Sequence, residues 1–98
     1  MGEQEEVKHH RQFITLKVKS FAIIKEIVGT QEIIMQMPRK NKGVTTVADL
    51  RKRVMELYPE ILARQIPIGI AVNSKMASEN LVVNDFDEIA LLPPISGG

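Results

Sequence analysis

The chain contains no cysteine and no tryptophan. Without a thiol it has no disulfide, no thiolate metal ligand and no cysteine nucleophile or persulfide, so any sulfur it handled would ride on another atom. Its aromatics are Phe13, Phe21, Tyr58 and Phe86, too few and too scattered to form a base-stacking platform. The net charge is +1, with lysine and arginine dispersed along the chain, so nothing marks a nucleic-acid footprint. No apolar run approaches the ~18 residues of a membrane span, and none resembles a signal-peptide core. Met1-Gly2 opens a myristoylation pattern that fails at Glu6, where serine or threonine is required. A cytoplasmic protein with neither nucleic-acid nor membrane partners is expected.

Catalytic machinery is also scarce. His9 and His10, the only histidines, are adjacent within a charged, aperiodic lead-in (residues 1–12) that reads as disordered. They bring no further ligands for a metal, so none is expected. The glycines at 29, 43 and 69 stand alone, and no phosphate cradle follows a strand. With no cysteine and both histidines in the lead-in, no nucleophile–base pair can be assembled. Asp85, Asp87 and Glu88 cluster at a turn with no evident pocket to shift their acidity, so they are read as structural. Whether the chain is an enzyme is open, but it has no active site of its own in view.

What is present is periodicity. Ninety-eight residues with 44% apolar and 26% charged side chains suit one domain with a single core. Phe13 to Ser20 alternates, with Ile14, Leu16 and Val18 on one face, and predicts a half-buried strand. Phe21, Ile24, Ile27 and Val28 then fall at helical spacing before Gly29, a short helix with a C-terminal stop. Glu32 to Met37 alternates again up to Pro38. Arg39 to Gly43 is a basic loop, read as solvated. Thr46 and Asp49 have the spacing of a capping box, and Val47, Leu50, Val54, Leu57 and Tyr58 follow on one stripe. The principal helix is therefore expected over 47–58, with Pro59 closing it. Ile68, Ile70 and Val72 predict a third strand, 75–77 a short strand, 78–83 a turn or single helical turn, and Glu88 to Leu92 the last strand.

Two strands, a long helix, then two or three strands suit a mixed sheet wrapped over the helix. The expected fold is α+β of the β-grasp, ubiquitin-like kind, with domain 13–92 and the last strand central. That placement makes the ending informative. Leu92 runs into Pro93, Pro94, Ile95, Ser96, Gly97 and Gly98. The prolines lack an N–H and hold φ near about −65°, which stops a ladder and stiffens the segment after it. The two glycines would let bare backbone enter a channel too narrow for a side chain. Residues 93–98 therefore read as an extended arm carrying a carboxylate. Ordering such an arm costs about 1–2 kcal/mol per residue, which the prolines reduce in advance. Ile95 would return about 1.5–3 kcal/mol if buried in a partner.

From about Phe13 to Gly98 the chain resembles the MoaD family, the small sulfur-carrying subunits of molybdopterin synthase. The resemblance rests on Phe21-Ala22 with Lys25-Glu26 and Val28-Gly29, on Ala71-Val72-Asn73, and on Asp87-Glu88-Ile89-Ala90 followed by Pro93-Pro94-Ile95-Ser96-Gly97-Gly98. Phe86 departs from it, standing where that family usually has a glycine. The resemblance implies a carrier whose Gly98 carboxylate becomes an acyl-adenylate and then a thiocarboxylate, and donates sulfur to cyclic pyranopterin monophosphate for the molybdenum or tungsten cofactor. It implies three partners: the large subunit of molybdopterin synthase, an E1-like adenylating enzyme that uses ATP and magnesium, and a sulfur donor protein. No cofactor is held by the chain itself. Pro93, Pro94, Ile95, Ser96, Gly97 and Phe21 would contact partners. A carrier for thiamine or tRNA thiolation, a modifier conjugated to lysine, and a β-grasp interaction domain with an inert terminus remain as alternatives.

Overall fold

A computed structural model describes residues 13–39 and 44–93. Strand β1 (Phe13–Ser20) pairs antiparallel with β2 (Glu32–Pro38) and parallel with β5 (Glu88–Leu92). On its other side β5 pairs antiparallel with β3 (Gly69–Val72), which carries the two-residue β4 (Lys75–Met76). The order β2-β1-β5-β3-β4 makes a mixed five-stranded sheet with the last strand at its centre, the β-grasp arrangement expected. Between β1 and β2 lies α1 (Ala22–Val28), ended by Gly29 at φ 96°, a left-handed position that glycine adopts without steric cost.

The principal helix α2 (Val47–Leu57) covers one face of the sheet. Its start is the predicted capping box: Asp49 N–H donates to Thr46 Oγ1 (3.4 Å) and Thr46 N–H donates to Asp49 Oδ2 (2.9 Å). The first amides of a helix lack intrahelical partners, and here the 78–83 segment supplies them. Val47 N–H donates to Leu81 O (2.9 Å) and Ala48 N–H to Glu79 O (3.1 Å). That segment is a turn with an isolated bridge, Thr46 to Val82, rather than a helical turn. Arg51 extends the same attachment, donating from Nη1 to Ile68 O (2.6 Å) and from Nη2 to a Glu79 carboxylate oxygen (2.8 Å). The Arg51 hydrogen bond holds the Glu79 carboxyl pKa below the usual carboxylate range.

Three expectations need refinement. Pro59 stands just past the end of the principal helix, as expected, but it also opens a second helix that was not foreseen, α3 (Pro59–Ala63). Proline suits a first helical position because its missing N–H has no partner there and its φ is preset. The principal helix therefore stops at Leu57, with Tyr58 as the residue between the two. Leu57, assigned by periodicity to the buried stripe, is 42% exposed. The core joins Ile14, Leu16, Val18, Met35, Met37, Ile70, Ile89 and Leu91 of the sheet to Ile24, Val47, Leu50, Val54 and Ile61 of the helices.

Leu50 is fully buried, so Leu50→Ala should cost about 2–5 kcal/mol, read as a lower denaturation midpoint with an unchanged m-value. The lowered pKa of Glu79 carries a pH signature. Because its folded-state pKa lies below the unfolded one, its stabilising contribution is complete at neutral pH. It fades as pH falls through the folded value. Wild type should therefore exceed Glu79→Gln in urea midpoint at pH ~6, and the gap should close in acid.

Candidate functional site: the root of the central strand

The parallel register of β1 and β5 sends both strands to the same pole. Ser20 is level with Leu91, so Phe21, the next residue, stands level with Leu92. On the other flank Gly69 is paired with Leu92 and Ala71 with Ala90. Pro93 therefore leaves the sheet between Phe21, at the end of β1, and Gly69, at the start of β3. Phe21 is 36% exposed, so the expected partner-facing role is open to it. The residue after it, Ala22, has φ 54°, a costly left-handed conformation for alanine. It sets the turn from β1 into α1, where Ile24 N–H returns to Phe21 O (3.1 Å). Pro93 is half-buried. Pro94, Ile95, Ser96, Gly97 and Gly98 lie outside the described residues, as do residues 1–12 with both histidines and residues 40–43 of the basic loop.

Strand alternation puts Lys19, Gly69, Ala71, Ala90 and Leu92 on the sheet face away from α2. Met76, paired with Ala71, shares that face and is 68% exposed. A Cβ built on Gly69 would come within 3.1 Å of Met76 Cε and 3.9 Å of Leu92 Cβ. The methionine thus lies over the glycine beside the strand that carries the arm. The result is a shallow apron in which Gly69, Ala90 and Leu92 lie beside the flexible Met76 and the charged Lys19, a surface that can adapt to a partner. Sequence reading named the arm and Phe21 but not Gly69 or Met76, because only the β3–β5 register brings them there.

The opposite end of β5 is held by polar bonds. Asn73 Oδ1 accepts from Glu88 N–H (3.0 Å), Asn73 Nδ2 donates to Asp87 Oδ1 (3.0 Å), and Asn73 N–H donates to Glu88 O (2.7 Å). Asp87 Oδ2 also accepts from Asn84 N–H (2.7 Å), and Asp85 Oδ1 from Thr15 N–H (2.7 Å). The acidic trio is thus structural at Asp85 and Asp87, as expected. Phe86 adopts φ 67° and is 73% exposed, keeping a glycine-like backbone with a side chain attached. Its N–H donates to Thr15 O (2.6 Å). These contacts fix where β5 begins, and therefore where the arm leaves. Among the described residues no cluster of three or more His, Asp or Glu could hold a metal, and no helix is long and apolar enough to cross a membrane.

Residues 18–98 match the ThiS family. A molybdopterin synthase sulfur carrier subunit of Dictyostelium discoideum is 32% identical over 84 residues, which cover 84% of this chain and 94% of that protein. The solution structure of small archaeal modifier protein 1 from Methanosarcina acetivorans is 25% identical with a TM-score of 0.68, covering 88% of this chain and 98% of that one. A chain in the complex of subunits 1 and 2 of the Helicobacter pylori molybdopterin-converting factor shares the fold at 21% identity and a TM-score of 0.51, covering 87% and 100%.

Asn73→Ala removes both side-chain bonds and places a Cβ residue without local hydrogen bonding at φ 51°. The expected loss is about 1–3 kcal/mol, measured by chemical denaturation. Amides of Asp87 and Glu88 should lose exchange protection before those of β1.

Proposed function

The chain belongs to the ThiS family, and from that premise we propose that it is a sulfur carrier for molybdopterin synthesis, working in the cytoplasm with Gly98 as its reactive residue. A carboxylate is a poor electrophile because its charge is delocalised. An E1-like enzyme with ATP and magnesium lets a Gly98 carboxylate oxygen attack the α-phosphorus, expelling pyrophosphate and forming an acyl-adenylate. Sulfide-level sulfur released by the donor as hydrosulfide then adds to the Gly98 carbonyl carbon and AMP leaves, giving a thiocarboxylate and a proton. Its ionised sulfur is a soft nucleophile at neutral pH. The arm, with Pro93 and Pro94 stiffening its base and Ile95 as its apolar contact, carries that sulfur into the large subunit and to cyclic pyranopterin monophosphate. The likeness to a named sulfur carrier subunit and to a subunit found in complex with its counterpart supports the pairing.

The observation that carries this reading is the family match, which runs through Gly98, together with a central β5 that delivers Pro93 from the most constrained part of the sheet. In the docked state Phe21, Leu92 and Met76 meet the partner, while Gly97 and Gly98 pass where no side chain fits. A second reading, conjugation of Gly98 to lysine, is favoured by the likeness to an archaeal modifier protein.

Co-production with the cognate activating enzyme and sulfur donor should yield an intact mass increased by one oxygen exchanged for sulfur, located to Gly98. Gly97→Ala, or one residue added after Gly98, should lower sulfur transfer by about a hundredfold, since a small misplacement of a reacting group costs that much. The melting curve should stay unchanged. Full activity of an extended protein that is not processed back to Gly98 would refute the carrier reading. Higher-mass lysine conjugates without a thiocarboxylate would replace it with the modifier reading.

A further inference from the structure

The described residues hold five lysines, Lys17, Lys19, Lys25, Lys52 and Lys75, and they are not equivalent. Lys52 lies on α2, and Lys75 is paired with Val72, a core residue. Lys25 belongs to α1, one turn beyond Phe21. Alternation puts Lys17 and Lys19 on the sheet face that also carries Leu92. Lys17 is level with Glu88, at the far end of β5 from the arm, whereas Lys19 is level with Ala90, two residues before Leu92. The charges on this face sharpen the difference. Glu32 is the register partner of Lys19 on β2, yet its carboxylate lies 3.9 Å from Lys17 Nζ. Lys19 is half-buried and has no acidic partner among the described residues.

Reach favours the same residue. Neighbouring strands lie about 4.8 Å apart and two residues of a strand span about 6.6 Å, so the Cα atoms of Lys19 and Leu92 are roughly 8 Å apart. The six residues from Pro93 to Gly98 can span at most about 20 Å. If Pro93 and Pro94 point away from the sheet, they take up about 3.1 Å each. The four residues after them are still long enough to bring Gly98 back to the end of a side chain at position 19. A short tether of this kind gives its two ends an effective concentration of about a millimolar, against which separate chains at micromolar concentration compete poorly.

We propose that Lys19 is an internal acceptor for activated Gly98, so that a carrier that meets no sulfur closes on itself through an isopeptide bond. The proposal rests on the sulfur-carrier reading, which supplies the acyl-adenylate. Lys19 Nζ, having released one proton to solvent, adds to the Gly98 carbonyl carbon. The bond from that carbon to the AMP oxygen breaks, AMP leaves with the electron pair, and the nitrogen loses its second proton to solvent. The product is one chain, lighter than the free protein by one water, with its terminus blocked. Hydrosulfide competes for the same adenylate. Once it has won, the terminus is a thiocarboxylate anion, which repels nucleophiles and does not acylate an amine. Sulfur loading therefore protects the arm, and ring closure discharges an adenylate left waiting.

The test needs no activating enzyme, so its failure is separate from a failure of the carrier reading. The full-length chain is prepared with Gly98 as an alkyl thioester, by thiolysis of an intein fusion, and held at micromolar concentration and mildly alkaline pH. The intact mass should fall by that of the thiol, at a rate unchanged on dilution. Digestion and tandem mass spectrometry should find a branched peptide joining Gly98 to Lys19. Lys19→Arg, which keeps the charge and removes the nucleophile, should slow closure by about tenfold or more and leave hydrolysis as the main loss, with an unchanged melting curve. Lys17→Arg should close as the wild type does. The thiocarboxylate form should stay open under the same conditions. Equal loss of thioester by hydrolysis alone in wild type and Lys19→Arg would overturn the proposal. So would closure mainly at Lys17, Lys25 or the Met1 amine, or products of two chains that grow with concentration.

Discussion

The parallel pairing of β1 with β5 is the constraint on which the rest of the molecule depends. It puts the first and last strands side by side and leaves β5 bonded on both flanks. A strand paired on both sides cannot shift without breaking two ladders, so the point where Pro93 departs is set by the whole sheet. The polar clamp at the other end of β5, through Asn73, Asp85 and Asp87, removes the remaining freedom to slip. For a carrier the useful consequence is a fixed point of departure for the segment that follows Leu92.

The sheet also separates its surfaces. One face is occupied by α2, whose buried Val47, Leu50 and Val54 complete the core. The other keeps small residues around Leu92 and Met76, where a partner can approach the root of the arm. The β2 edge belongs to neither face, and among the described residues nothing pairs with its outer side.

Much of this was legible in the chain itself. Alternation at Ile14, Leu16 and Val18 and the Thr46–Asp49 box are local signals, and local signals survive folding. Pro59 was read for only one of its two roles, because the same missing N–H that stops one helix suits the first turn of the next. Leu57 misled because helical periodicity reports a stripe, not what faces it; at this position the side chain lines an open hollow beside Ile33, Ile34 and Tyr58. Asn73 looked like an ordinary turn residue, since its partners Asp87 and Glu88 are brought to it only by the β3–β5 pairing. Gly69, Met76 and the open β2 edge were invisible for the same reason: strand order is a tertiary property, and no period in the sequence encodes it. At the arm, sequence carried the whole argument, since Pro94 to Gly98 lie outside the described residues.

The central position of β5 also dictates when the molecule can form. Thr15 and Asp85, bonded in the finished sheet, are 70 residues apart, and pairings of such separation close slowly because the loop entropy is lost before the contacts form. A ribosome has made nearly all of the chain before β5 exists, so until then β1 has only β2 to pair with. The same late strand that completes the core carries the arm. A nascent chain cut short before residue 88 therefore has neither a finished core nor a Gly98, and incomplete products lack both the fold and the functional group.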